Sequence, residues 1–453
     1  MEEYTLKAGA ASIDITPSLG TLINGEFTNR YANKIADRLY AKTLLLKTSQ
    51  LTLAFVVVDI CAMQKDYLDD IKERIFQETH IHPEHILISS THTHSSGSVT
   101  DLLMGHVDMA YRECLPQLIV ASVKQALSLA KPAKLGFGKV DVPEHVLCRR
   151  YYMRDGYKAF NPITGTLDQV KTNPFGGESE IVGSASAVDP EVGYLAVKGL
   201  DGEWISLLAN YSLHYVGDCD RGTISADYFG YFSRTIGKLL NADESFVGIM
   251  SNGTSGEANI WDFKDPNRYP KGNHEKSELI GMSIAHAVNN SLHQMIWETN
   301  PFLDVIYRDI NVRSRKPSPA ELVRALSIVA DTDYEHINLD QQGYEQIYAR
   351  EQVLLNDYPD EVSFPIQAFK IGSGIIGALG GEFFAETGLK LKEDAAGKAY
   401  FTITMANDYV GYVPPAHELE KGGYETWRCR TSRLAAECEE EIRGVLKQMI
   451  IDN

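Results

Sequence analysis

The sequence predicts an α/β fold, mixed β-sheets flanked by helices, and three observations carry that expectation. Apolar runs at residues 40–47 and 51–61 are joined by a polar turn, as in a hairpin. Residues 65–79 repeat with helical period and lead through Pro83 into the apolar run Ile86 to Ile88, which makes a strand, helix, strand unit. The same alternation recurs later, where a helix at 227–240 passes to a strand at 246–250, and strands at 364–371 and 375–379 precede a helix and a strand at 399–405.

The remaining elements follow in order. Residues 8–20 read as a strand ending at the Thr16-Pro17 turn, 108–129 as a long amphipathic helix stopped before Pro132, and 133–140 as a returning strand. Strands are expected at 192–198 and 204–211, a helix at 276–297, a strand at 302–313, and a helix opened by Pro319 with Ser318 as its cap. Residues 334–358 form a polar helical arm to which no chemistry attaches. Between about 146 and 190 the chain is rich in Gly, Pro, Asn and Ser without periodicity, which predicts a long loop at the substrate rim. With no repeat, low-complexity tract or separating linker, residues 1–453 are expected to form one domain.

Composition excludes several partners. A net charge of −18 argues against nucleic acid and against anionic lipid surfaces. The six cysteines are scattered with no C-x-x-C pair, so neither a zinc ribbon nor a disulfide framework is expected. The first residues lack a basic segment followed by an apolar one, and no apolar run reaches the ~18 residues of a membrane span. A cytoplasmic enzyme without stable membrane association is the expectation.

The chemistry centres on Ile86-Leu-Ile-Ser-Ser-Thr-His-Thr-His-Ser-Ser-Gly97. In an extended segment residues i and i+2 share a side, so His92 and His94 would present two imidazoles on one face at a strand's carboxyl end, where α/β sheets build their sites. Two plain alternatives stand beside a metal site: surface histidines, or a core histidine bonded to a carbonyl. Asp59, at the end of its apolar run, reads as a strand-end cap or a supporting group rather than a ligand. Further polar strand ends occur at Ser212-Leu-His214 and at Ser251-Asn-Gly-Thr-Ser-Gly-Glu257. Ser255 only superficially resembles a nucleophile elbow, because the glycine required two residues before the serine is absent.

Taken together, Ala11-Ser-Ile-Asp-Ile-Thr-Pro-Ser-Leu-Gly20, Asp37-Arg-Leu-Tyr-Ala41, Ser90-Thr-His-Thr-His-Ser95, Val188-Asp-Pro-Glu-Val-Gly193, Asn210-Tyr-Ser-Leu-His214, Ile224-Ser-Ala-Asp-Tyr228, Gly380-Gly-Glu-Phe383 and Asn407-Asp-Tyr-Val-Gly-Tyr412 resemble the catalytic domain of the neutral/alkaline, non-lysosomal ceramidases. The resemblance implies Zn²⁺ held by His92, His214, Glu382 and Tyr412, although tyrosine lies outside the usual zinc ligands. Tyr409 is a close decoy for Tyr412. Tyr412 is preferred because Tyr424 then stands at the spacing of that family's second active-site tyrosine. Glu382 has a plain alternative as a helix N-terminal charge. The same resemblance implies metal-activated water attacking an amide, His94 moving the proton, Arg149 and Tyr424 stabilising the oxyanion, and Ser255 lining the pocket or orienting substrate.

Departures from the family pattern bear on the substrate. Cys148 replaces the family's asparagine before Arg149, and the doublet leaves Arg150 as an alternative to Arg149. The chain ends at Asn453, shortly after Tyr412, so the β-sandwich domain that follows in full-length ceramidases is expected to be missing. The expected function is a zinc-dependent amidohydrolase acting on a small-molecule N-acyl substrate, with the exact amide left open and ceramide itself disfavoured. The alternatives are a lactone or ester hydrolase on the same site, or a non-catalytic metal-bound binding protein.

Overall fold

The computed structural model describes residues 6–452. Its largest sheet has eight strands in the spatial order Val247–Asn252, Trp204–Tyr211, Glu191–Gly199, Lys131–Asp141, Lys7–Asp14, Tyr40–Lys47, Thr52–Val58, Ile86–Ser90. The six inner strands pair antiparallel, whereas each edge is a parallel pair. A parallel pair needs a crossover, and here the helices Lys65–Thr79 and Asp227–Leu239 supply it.

The sheet curls until its two edges approach one another. A segment from elsewhere fills the seam: Thr404 N–H donates to the Asn252 carbonyl at 2.9 Å, and Asn407 N–H donates to the Ile88 carbonyl at 2.8 Å. That segment continues the strand Ala399–Ile403 of a second sheet, ordered Leu303–Arg313, Glu361–Ile371, Gly374–Leu379, Ala399–Ile403. Its last two strands are again parallel, with the helix Ala385–Asp394 between them. Phe55, Leu87, Leu195, Leu208 and Ile249 of the curled sheet share one apolar cluster with Phe369, Ile376, Phe401 and Ile403 of the second. The carboxyl ends of three parallel pairs therefore meet at one seam.

Most expected elements form within a residue or two. Ser318 caps the helix Pro319–Ala330 through a full capping box with Glu321, and Asp59 is a buried strand-end group that accepts from Tyr40 N–H at 2.9 Å and pairs with Lys42 at 3.2 Å. The helix expected over 276–297 stops at Ser291 and ends in a 3-10 turn, Leu292–Gln294. The expected loop at 146–190 is the larger correction. It folds as a three-stranded antiparallel sheet, Val170–Thr172, Arg150–Met153 and Ile181–Ser184, and Leu147–Cys148 pairs with Ala258–Asn259. Strands of two to four residues are too short to display a period of two.

All six cysteines are unpaired, and no helix among the described residues is long and apolar enough to cross a membrane. Lys72 is an exception to the apolar core. It is 3% exposed, with its ammonium 5.9 Å above the Tyr307 ring, and burial pushes its pKa from the ordinary 10.5 down to about 7, against the opposing pull of Asp69. Between about pH 7 and 10.5 the unfolded chain therefore holds a proton that the folded chain does not. Stability should rise with pH across that window at about 1.4 kcal/mol per unit and be flat below it. Lys72→Met is expected to raise the melting temperature at pH 7 and abolish this rise, as thermal unfolding at pH 6, 8 and 10 would show.

Candidate active site

Each parallel pair delivers a polar turn to the seam. His92 follows the strand Ile86–Ser90, His214 follows Trp204–Tyr211, and Glu382 follows Gly374–Leu379. Glu382 and Tyr412 are register partners in a short parallel pair, which places their side chains on one side. His92, His214 and Glu382 offer ligand atoms that all lie within 4.8 Å of one another. Glu382 Oε2 is 3.4 Å from His92 Nε2 and 3.7 Å from His214 Nε2.

Both imidazoles are oriented from behind. His92 Nδ1 lies 2.8 Å from the Cys61 carbonyl and His214 Nδ1 lies 3.2 Å from the Ser255 carbonyl. A carbonyl can only accept, so each Nδ1 carries the proton and each Nε2 keeps its lone pair. Tyr409 donates to Glu382 Oε1 at 2.8 Å, which leaves Oε2 buried without a hydrogen-bond partner. Buried polar atoms are rarely left so. An orphan carboxylate oxygen facing two lone pairs fits a cation.

Electrostatics agree. Burial disfavours charge on His92, yet the Glu382 carboxylate outweighs it and holds the imidazole well above its usual pKa. Burial, reinforced by Arg149 and the other histidines, pushes His214 well below it. The Glu382 carboxylate thus draws one positive charge to the centre, as a proton on His92 Nε2 or as a cation that takes that proton's place, while the second ring stays neutral.

His94 stands beside the cluster. Its Nε2 is 3.3 Å from His92 Nε2, its ring stacks on Tyr215 at 3.6 Å, and it is not in the mutually close set with His214 and Glu382. Burial, then the charges of His92, Arg30 and Arg149, keep it well below its usual pKa, as a neutral base. Gly25, at φ +99°, backs the ring so closely that an added Cβ would sit 2.5 Å from His94 Cγ. The extended-strand reason for the pairing fails, however. The strand ends at Ser90 and His92 has φ +70°, so a left-handed turn, not the pleat, makes the two rings converge.

The doublet Arg149-Arg150 separates clearly. Arg149 donates from Nη2 to Tyr412 Oη at 3.0 Å and to the Gly256 carbonyl at 2.6 Å, and from Nε to Glu425 Oε1 at 2.7 Å. Arg150, fully buried, points away to Glu425 Oε2, Glu418 and the Gly422 carbonyl. His94, Arg149, His214, Tyr412 and Tyr424 all line one cavity of about 610 Å³. The Tyr424 ring is 5.7 Å from that of Tyr412. Ser255, expected in the pocket wall, lies behind His214 instead, with its hydroxyl donating to Asn252 Oδ1 at 2.8 Å.

No protein-family model matches this chain, and no curated protein matches it significantly in sequence. Solved structures do. It superposes on the neutral ceramidase from Pseudomonas aeruginosa with a TM-score of 0.73 at 16% identity, covering 99% of this chain and 74% of that one. A ceramidase complexed with C2 gives 0.71 at 15% identity, with 99% and 75% covered. The chain has the neutral ceramidase fold.

Within this neutral ceramidase fold several site residues escape sequence reasoning. Tyr409 was a decoy for Tyr412, yet both meet Glu382. Tyr215 carries His94, and Glu425 ties Arg149 to Arg150. None has a local signature, although an acidic residue next to Tyr424 could have been matched to the basic doublet. The helix Gln341–Asn356 also contributes, since Leu339, Asp340, Gln341 and Tyr344 at its start line the cavity. The arm without assigned chemistry is a wall of the site.

Proposed function

We propose that the protein is a zinc-dependent hydrolase that cleaves the amide bond of an N-acyl compound, with His92, His214, Glu382 and Tyr412 holding the ion. The observation that carries this reading is the orphan Glu382 Oε2, facing the Nε2 atoms of His92 and of His214, the latter in the wall of the cavity. Imidazole and carboxylate donors suit Zn²⁺, and Tyr412 Oη, already bonded to Arg149, adds an oxygen. A bound Zn²⁺ supplies Lewis acidity and lowers the pKa of water toward ~7.

The remaining steps belong to the chain's own groups. His94, neutral and open to the cavity, takes the proton of the attacking water and returns it to the departing nitrogen. The Arg149 guanidinium, held in place by Glu425, and the Tyr424 hydroxyl donate to the oxyanion that forms at the carbonyl. Phe27, Phe160, Trp261 and Trp427 in the cavity wall exclude water and receive an apolar chain.

The test is metal analysis followed by a panel of N-acyl amines, N-acyl amino acids, lactones and ceramide. About one zinc per chain and chelator-sensitive release of free amine are expected; turnover by a zinc-free chain in chelator would overturn the proposal. Tyr409→Phe deletes the bond to Glu382 Oε1, and is expected to weaken zinc affinity ~10–100-fold, measured by competition with a chromogenic chelator.

A further inference from the structure

The charged groups that line the cavity are unequal in one respect. Glu26 is paired with Arg30 at 3.1 Å and with Arg221 at 3.0 Å. Asp340 caps the helix Gln341–Asn356 by accepting from Gly343 N–H at 2.9 Å, and Arg149 is bound by Glu425 at 2.7 Å. Lys158 and Lys171 line the same cavity, and neither ammonium has a hydrogen-bond or ion-pair partner among the described residues. In a chain of net charge −18, two free cations in one cavity are not a product of surplus positive charge.

Lys171 is the more telling of the two. It is half-buried on the three-residue strand Val170–Thr172, where burial pushes its pKa below the usual lysine value. The carboxylate acting on it, Asp168, is already engaged by Asn161 Nδ2 at 2.9 Å, Gly423 N–H at 2.9 Å and Trp427 Nε1 at 2.7 Å. A partly desolvated ammonium with no partner favours an incoming anion.

The next two residues fix this lysine to the catalytic wall. Thr172 Oγ1 donates to Glu425 Oε2 at 2.7 Å, the carboxylate that also holds Arg149, and Asn173 N–H donates to the Arg149 carbonyl at 2.8 Å. Lys171 thus hangs from the same backbone that positions the proposed oxyanion donor. A substrate that places its amide at Arg149 brings the rest of its body past Lys171.

We propose that Lys171, with Lys158 further out, binds an acidic group on the substrate, a carboxylate or a phosphate ester, so that the amide cleaved is an anionic one of the N-acyl amino acid or phosphorylated N-acyl amine class. This rests on the amide-hydrolase reading above. Lysine acts here as a point charge and does not demand the planar geometry that arginine would.

Three lauroyl amides, of glycine, of ethanolamine and of phosphoethanolamine, test it with the full-length zinc-loaded protein. At least one anionic amide should exceed the neutral one about tenfold in kcat/KM, equivalent to about 1.4 kcal/mol. The larger of the two preferences names the acid. That preference should collapse to within about twofold in Lys171→Met and in the Lys158→Met/Lys171→Met double variant, and persist in Lys171→Arg. Equal turnover of all three by the wild type, or a preference that survives the double substitution, would overturn it. If no amide is turned over, calorimetric binding of the same compounds still decides: an anion preference lost in Lys171→Met upholds the anion site while the amide-hydrolase reading falls, and equal binding of all three removes the anion site itself.

Discussion

Alanine at His92 or at His214 is expected to take zinc from about one ion per chain to background, and turnover with it. Each ring is held by a backbone carbonyl behind it, so its Nε2 is pre-aimed and neither can substitute for the other. With one ring gone, Glu382, 4% exposed, is left with a single imidazole, and a buried carboxylate that loses a partner costs on the order of 3 kcal/mol. Both variants should therefore melt below the wild-type holoenzyme as well as lose metal. Atomic emission on the purified variants measures the first effect; a full zinc complement in either would remove that residue from the ligand set.

His94→Ala is expected to separate metal from chemistry: zinc content near wild type, kcat lower by ~10²–10⁴. His94 adjoins His92 without joining the His92, His214, Glu382 set, and its stacking on Tyr215 fixes the ring independently of any ion. Stopped assays at saturating substrate, with metal analysis on the same preparation, give both numbers. Full activity would take His94 out of the mechanism, and loss of zinc in this variant would make it a ligand.

The strand-helix-strand units at both edges of the large sheet were legible because segments of five to fifteen residues show their pattern. What the sequence could not display was the curl of that sheet. The approach of Val247–Asn252 to Ile86–Ser90, and the insertion of Thr404–Asn407 between them, depend on pairings between residues far apart in the chain. His92 and His94 were rightly placed at a strand's carboxyl end for a wrong reason, since a left-handed residue has no reliable signature outside glycine and asparagine. The choice between Arg149 and Arg150 turned on Tyr412 and Gly256 for the first and Glu418 and Gly422 for the second, partners that no local pattern connects to the doublet. Spacing preferred Tyr412 over Tyr409, yet both belong to the surroundings of Glu382, Tyr409 through a hydrogen bond and Tyr412 through strand pairing.

The seam also sets an order in time. The histidines turn out early from the ribosome, but Glu382 and Tyr412 meet only as paired strands, and Tyr409 steadies the carboxylate from the same late stretch. An emerging chain that has reached residue 380 holds two imidazoles and nothing to close the cage. Because a site of this kind scarcely exists before its donors converge, capture of an ion at the proposed site would be among the last events of maturation.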